Sequence, residues 1–432
     1  MPNDLMEKIV SLCKRRGFVY PGSEIYGGLS STYDYGPLGA ELKNNIKQLW
    51  WKYFVQQRDD MVGLDGNVLL HPKTWEASGH LAKFKDALVE CKKCHNRFRP
   101  DKLAAPAKCP ICGGKLTEPK MFSGMFETMI GPVKEEGIAT YLRPETAQNI
   151  FVNFKNILDS SSKKIPFGIA QMGKSFRNEI TTGNFIFRTI EFELMEIEYF
   201  IASNAKWNEI FERWLEYIYG FADRIGLSRK NFYNHEIPDG ERAHYSKRTV
   251  DIEYQFPWGQ DELWAVAYRT DYDLSAHQKN SGKNLEYFDE ETKKKYIPHV
   301  IEPTFGVDRT MLAVLAEGYS EEKDRIVLKL KPQIAPYKVA VFPLLANKPK
   351  LVELARKIYD DLRGDFMVAW DERGNIGKRY YSQDEIGTPW CITVDFESLE
   401  KDDVTVRDRD TMKQERIKIK ELKKYLEGKL GE

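Results

Sequence analysis

The residues best suited to chemistry lie in FRNEITTGNFIFR, residues 176–188. Arg177 and Glu179 stand together there, and Arg188 follows eleven residues after the first arginine. Between them TTGN is turn-like, with apolar residues on either side. Charged groups beside Phe176 and Phe187 on strand-like arms are costly unless they meet a partner. A guanidinium binds phosphate through two parallel hydrogen bonds and keeps its charge, so an anion site fits. A solvated hairpin with surface ion pairs fits the same pattern. A third arginine, Arg309 in FGVDR, opens a helical pattern directly after a strand-like run. A helix N-terminus attracts anions on its own account.

Acidic residues accumulate nearby: Glu145 in RPET, Glu191, Glu193, Glu196 and Glu198 along one arm, and Glu302 in VIEPT. Strand alternation puts Glu191 and Glu193 on one face. Glu196 and Glu198 share the other with Phe192 and Leu194. Carboxylates among apolar neighbours call for a cation. Ordinary solvated strand charges account equally well for several of them.

Two CxxC pairs, Cys91–Cys94 and Cys109–Cys112, are separated by fourteen residues. Four thiolates in two such pairs suit a closed, tetrahedral and therefore structural zinc site. Gly113 and Gly114 suit the tight knuckle after the second pair. With four sulfurs available, His95 reads as a bystander. Lys92, Lys93, Arg97, Arg99 and Lys108 surround the pairs, which fits an RNA-touching knuckle or simply a soluble surface.

These residues need elements to hold them. Residues 166–200 read as two antiparallel strands joined by a polar loop. VIEPTFGVDRTMLAVLAEGY reads as a strand, a turn, then a helix from about 307. Leu42, Ile46, Leu49, Trp50, Tyr53 and Phe54 follow helical spacing. Asn3 or Asp4 would cap a first helix over 3–16. After Pro332 and Pro336 strands alternate with helices, predicting a small α/β domain of about 100 residues.

Composition narrows the class. The chain of 432 residues is 42% hydrophobic and 30% charged, enough for packed domains and against disorder. Lys+Arg and Asp+Glu are equal at 65, so a nucleic acid would have to be met by local patches. MPNDLMEKIV lacks the basic-then-apolar pattern of a signal peptide, and no apolar run is long enough for a membrane span. Cys13 and Cys391 lie far from the paired cysteines, which argues against a disulfide framework. A cytoplasmic protein is the expectation.

The arginine hairpin and the glycine–arginine strand-to-helix element resemble the second and third motifs of class II aminoacyl-tRNA synthetases. YDYGPLGAELKNNIKQLWWKYFV, HPKTWEASGH, LRPETAQ, GKSFRNEI, MEIEYF, VIEPTFGVDR, IGKRYYSQDEIGTPWC and VTVRDRDTM resemble, in order, the homodimeric glycyl-tRNA synthetases. The resemblance spans essentially the whole chain.

It implies an α+β protein: an antiparallel sheet flanked by helices, a zinc-ribbon-like insert, and a C-terminal α/β anticodon-binding domain. The expected catalytic domain is 1–330, with the zinc insert at about 88–118 and a helical insertion at about 200–298. The anticodon domain is expected at 335–432. Helix 39–58 and a strand–proline region near Pro72 resemble the first class motif. That motif would bury Trp50, Trp51, Tyr53 and Phe54 in a homodimer interface.

By the same resemblance Arg177 holds the ATP α-phosphate and Arg309 the γ-phosphate. Glu179 and Arg188 complete the cradle, and Phe192 stacks on adenine. Glu145, Glu196, Glu302 and the hydroxyl of Thr304 surround glycine. Cys91, Cys94, Cys109 and Cys112 hold zinc, and magnesium accompanies ATP. The implied reaction joins glycine to ATP as glycyl-adenylate, releases pyrophosphate, and passes glycyl to the 3′ end of tRNA(Gly).

Two positions depart from the family pattern: Thr304 stands where serine is expected and Ile190 where arginine is. A synthetase for serine, threonine or proline fits the class motifs but not the glutamate set. A non-catalytic RNA-binding relative would be expected to lose the ATP arginines, which are present here. Diadenosine tetraphosphate synthesis leaves no mark in the sequence.

Overall fold

The computed structural model describes residues 2–100, 103, 108–133, 136–180 and 183–431. Thr181 and Thr182 of the TTGN turn, and residues 101–102 and 104–107 of the cysteine insert, lie outside the described residues.

The centre is a seven-stranded sheet. Its strands are β1 (Met61–Leu64), β2 (Phe167–Phe176), β3 (Glu191–Ile201), β4 (Phe232–Glu236), β5 (Arg248–Phe256), β6 (Gly259–Thr270) and β7 (His299–Gly306). They lie side by side in the order β4-β5-β6-β7-β3-β2-β1. All neighbours are antiparallel except β1, which runs parallel to β2. The two expected arms, β2 and β3, pair over their length, with Glu191 opposite Phe176 and Phe200 opposite Phe167.

The longer helices beside the sheet are α1 (Pro2–Arg16), α2 (Pro37–Trp51), α3 (Ala147–Ser160), α4 (Trp207–Ile225), α5 (Tyr272–Ser281) and α6 (Val307–Gly318). The first begins at Pro2, before either expected cap residue. Leu38, Leu42, Ile46 and Trp50 form the buried stripe of α2, which ends in a wider turn over Lys52–Gln56.

Three expectations are corrected. Residues 200–298 are not a helical insertion, because β4, β5 and β6 lie there and form one side of the central sheet. In β5, Val250, Ile252, Tyr254 and Phe256 are buried at a period of two, as a strand with one covered face requires. Trp50 and Phe54 do not wait for a second subunit: both are fully buried in their own chain. Phe54 packs 5.2 Å from Phe305 and 6.0 Å from Trp214 between ring centres. Trp51 and Tyr53 are half-buried against the same core. The region at Pro72 is a short helix, Pro72–Ala77, with proline in its first turn and His71 accepting from the Lys73 amide.

The C-terminal unit holds β8 (Val339–Pro343), β9 (Val368–Trp370), β10 (Trp390–Val394), β11 (Asp403–Asp408) and β12 (Gln414–Lys418), in the order β9-β8-β10-β11-β12. Its main helices are α7 (Pro349–Leu362), α8 (Ile376–Ile386) and α9 (Leu422–Gly431). Strand pairing is parallel across β9-β8-β10 and antiparallel beyond, as strand–helix–strand crossovers followed by a hairpin dictate.

The two units meet over charged groups. Arg15 and Arg16 of α1 grip Glu385 of α8, with Arg15 Nη1 2.9 Å from Oε1. Arg325 donates to Asp384 at 2.6 Å, and Arg407 to the same carboxylate at 2.8 and 2.9 Å. Asp384 is fully buried. Among the described residues no helix is long and apolar enough to cross a membrane.

Candidate active site

β2 ends at Phe176, so Arg177 leaves the sheet edge beside the start of β3. Its amide donates to the Ile190 carbonyl at 3.0 Å, and its Nε donates to the Pro144 carbonyl at 3.1 Å. The guanidinium lies 5.3 Å from the Phe192 ring centre and 5.7 Å from that of Phe84. Gly183 and Arg188 close a bridge at the tip of the loop, where Asn184 and Phe185 adopt left-handed backbone.

β7 runs straight into α6, so Arg309 sits in the first helical turn. Its guanidinium lies 4.4 Å from the Phe187 ring centre, donates to the Glu262 carbonyl at 2.8 Å, and pairs with the Glu262 carboxylate at 3.1 Å. Burial disfavours ionisation of Glu262, yet Arg309, with Arg177 and Arg188 near, holds its carboxyl below the ordinary value.

A single cleft gathers these groups. Its walls include Arg177, Glu179, Arg188, Phe192, Thr304 and Arg309. Gly306 also lines it, and a Cβ there would meet only the stem of Arg309, at 3.6 Å. A larger residue would therefore project into the cleft. Three guanidiniums, an aromatic face and a helix N-terminus suit a polyphosphate joined to a flat ring.

The acidic set lies deeper on the same sheet face. Glu196 stands opposite Gln171 on one side and Thr304 on the other. Its Oε2 accepts from the Thr146 amide at 2.7 Å and from the Thr146 hydroxyl; its Oε1 lies 3.5 Å from the Thr304 hydroxyl. Burial and the nearby Glu145 push the Glu196 carboxyl up.

Glu145 accepts from Gln148 at 3.0 Å and meets His80 Nε2 at 3.3 Å. Burial works against its charge, but His80 keeps it well below the usual range. Glu302 pairs with Arg269 at 2.8 Å. Burial pushes Glu302 up to about 8; Arg269 pulls the other way, and Glu196 adds to the rise. Thr304 lines the cleft, whereas Glu145, Glu196 and Glu302 are buried behind it.

Sequence reasoning missed Arg269, His80 and Glu262. Arg269 is almost fully buried, bridges Asp273 and Glu302, and lies under the Tyr245 ring at 3.7 Å. AVAYRTDYD carried a signal: alternation puts Ala265, Ala267 and Arg269 on one face, with Asp273 four residues on. Small neighbours leave room for a buried guanidinium. Ile190, the departure from arginine, is half-buried, and its amide donates to the Ser31 carbonyl at 3.2 Å.

The cysteine pairs also converge. Cys91 and Cys112 sulfurs are 3.5 Å apart, as are those of Cys94 and Cys109, and all four lie within 4.8 Å of one another. Tetrahedral zinc with bonds of about 2.3 Å needs sulfurs about 3.8 Å apart, so the donor set fits. The Lys93 amide and the Asn96 side chain donate to Cys91 and Cys94 sulfurs at 3.4 and 3.2 Å. A Cβ on Gly114 would fall 2.9 Å from the Cys91 sulfur, so that glycine is required. His95 turns to Glu90 at 3.0 Å and stays outside the set.

Two family models match. Residues 128–318 match the tRNA synthetase class II core domain (G, H, P, S and T), and 338–429 the anticodon binding domain. A glycine–tRNA ligase of Thermobifida fusca is 50% identical over 465 aligned residues, covering 99% of each chain. One from Streptomyces coelicolor is 50% identical, covering 100% of this chain and 99% of its own. One from Alkaliphilus oremlandii is 50% identical and covers 98% of each. The chain belongs to the glycine–tRNA ligase family. It has the class II core, with its mixed helices and sheets, and the anticodon-binding domain of that family. The arginine cleft and the buried carboxylates both lie within the matched core except for Arg177's neighbour Phe84 and the Glu145 partner His80, which precede it.

Proposed function

We propose that this protein activates glycine with MgATP to give glycyl-adenylate and pyrophosphate, then transfers glycyl to the 3′ end of tRNA(Gly). The observation that carries the reading is the shared cleft of Arg177, Arg188, Arg309 and Phe192, with Thr304 in its wall and the buried Glu196 behind it.

In the first step a glycine carboxylate oxygen attacks the α-phosphorus, and the bond to the β-phosphate oxygen breaks with pyrophosphate leaving. Arg177 takes the α-phosphate, where charge grows in the transition state, and Arg309 the γ-phosphate. Glu179 and Arg188 complete the cradle, and Phe192 offers a face to adenine. Chemistry of this kind needs positioning and positive charge more than covalent help. Glu145, Glu196, Glu302 and Thr304 receive the glycine ammonium. In the second step a terminal ribose hydroxyl of tRNA attacks the glycyl carbonyl and AMP leaves.

In this reading residues 1–330 catalyse and 335–432 read the anticodon. Cys91, Cys94, Cys109 and Cys112 would hold a structural zinc, which folds the insert. The enzyme works as a homodimer. Because Trp50 and Phe54 face inward, other apolar groups must meet the second copy, and Ile25, Tyr26 and Leu29 are exposed by 88%, 87% and 61%.

The test is ATP–pyrophosphate exchange with each of the twenty amino acids. Exchange that depends on glycine alone supports the reading; exchange with serine, threonine or proline, or none, overturns it.

A further inference from the structure

Asp308 is the second residue of α6 and is nearly fully buried, immediately before Arg309. Its Oδ2 accepts the Glu193 amide of β3 at 2.8 Å. Its Oδ1 accepts from the Tyr35 hydroxyl and from Lys43 Nζ of α2 at 2.8 Å. Lys43 is itself buried, lies 3.2 Å from Glu193 Oε2, and has its ammonium 3.9 Å from the Tyr35 ring centre. Lys47 holds the other Glu193 oxygen at 2.8 Å. Among the described residues, Lys43 is the cation that pairs with Asp308, because the adjacent Arg309 is turned to Glu262 and Phe187.

Glu193 and Asp308 line the same cleft as Arg177 and Arg309. Two uncompensated carboxylates there would repel a polyphosphate. The Asp308–Glu193 bond also sets the first turn of α6 against β3, and with it the point from which Arg309 reaches. A buried carboxylate that loses its cation takes a proton or pulls its element out of place.

We propose that Lys43 is a positioning residue for the ATP cleft, acting through Asp308 to fix Arg309 and to cancel the charge behind the phosphates. The inference rests on the ATP reading of that cleft. It ties α2, which carries no residue of the cleft wall, to nucleotide binding and not to glycine binding.

The experiment is glycine-dependent pyrophosphate exchange by the full chain, with ATP and glycine KM measured separately. The variants are Lys43→Met, Lys43→Arg and Lys43→Met/Asp308→Asn, with Arg309→Ala as reference, each checked for folding by circular dichroism. Lys43→Met is expected to raise the ATP KM at least about fivefold and leave the glycine KM within about twofold. Lys43→Arg is expected to restore most of the loss, since it returns the charge. The double variant removes both charges while its amide oxygen still accepts from Glu193, so its ATP KM should fall back toward wild type. It decides the matter if Lys43→Met does not fold. An ATP KM unchanged in folded Lys43→Met overturns the proposal, as does an equal rise in both KM values in Lys43→Met or in the double variant. If Arg309→Ala leaves the ATP KM unchanged, the ATP reading itself fails, and this proposal with it. If Arg309→Ala raises it and Lys43→Met does not, only this proposal fails.

Discussion

Thr304 and Glu196 face each other across the β3–β7 pair, with the Thr304 hydroxyl 3.5 Å from Glu196 Oε1. That separation is long for an O–H donor, so the hydroxyl is free to turn toward a ligand. Glycine offers an ammonium with three donors and nothing at Cα to grasp. Glu196→Ala and Glu302→Ala are expected to raise the glycine KM at least about tenfold, the scale of one charged hydrogen bond. Thr304→Ser should keep glycine use nearly intact, whereas Thr304→Gly should relax the exclusion of alanine or serine, because a wall is what rejects a larger substrate. Amino-acid-dependent pyrophosphate exchange measures each; wild-type glycine kinetics in both glutamate variants would sink the pocket.

Arg177 rests on the Pro144 carbonyl and between two aromatic rings, so its guanidinium is oriented before any ligand arrives. Arg177→Ala should cost several kcal/mol in exchange, on the order of 3 kcal/mol for a lost transition-state donor. An exchange rate within about tenfold of wild type contradicts the assignment.

The Glu302 carboxyl is raised by burial to about 8 against the pull of Arg269. In the free protein it therefore carries its proton below that pH and loses it above. The ammonium binds the ionised form better, so the glycine KM is expected to fall as pH rises from about 7 to 8.5. Glu302→Gln should flatten that profile. A wild-type profile with no such fall, measured at constant ionic strength, counts against it.

Protein purified without added zinc is expected to hold one equivalent per chain, and well under half an equivalent rejects the site. Cys91→Ser should unfold the insert and harm tRNA charging more than glycine activation, whose residues lie elsewhere. Equal loss of both refutes that separation.

Asp384 answers two buried guanidiniums, Arg325 and Arg407. Removing it strands the buried Arg407 and leaves Arg325 with the Glu322 carboxylate, so Asp384→Ala should lose about 3–5 kcal/mol of stability in urea unfolding. A change below about 1 kcal/mol would mean that water already relieves the site.

Much of this was legible beforehand. The β2–β3 arms announce themselves by extended apolar runs around a polar turn, and the C-terminal unit by strands alternating with helices. RTVDIEYQF also carried the alternation of a strand, but its place in the central sheet depends on partners far along the chain. Trp50 and Phe54 show a different limit: an apolar stripe states that something covers it, not whether that is its own chain or another. The short helix after His71 could have been read from proline in a first turn. Arg269 is harder, because a buried guanidinium is explained only when Asp273 and Glu302 are seen to meet it.

The contact between the two units has a mechanical meaning. Arg15 and Arg16 reach Glu385 while Arg325 reaches Asp384, so α8 is bolted to the synthetic half at two separate places. Ile334, Ala335 and Ile386 belong to the same apolar cluster as Trp50 and Phe305, which fills the joint. Two separate sets of ion pairs and an apolar filling thus act as three fasteners on one joint, so a change at any single one leaves the others holding α8 in place.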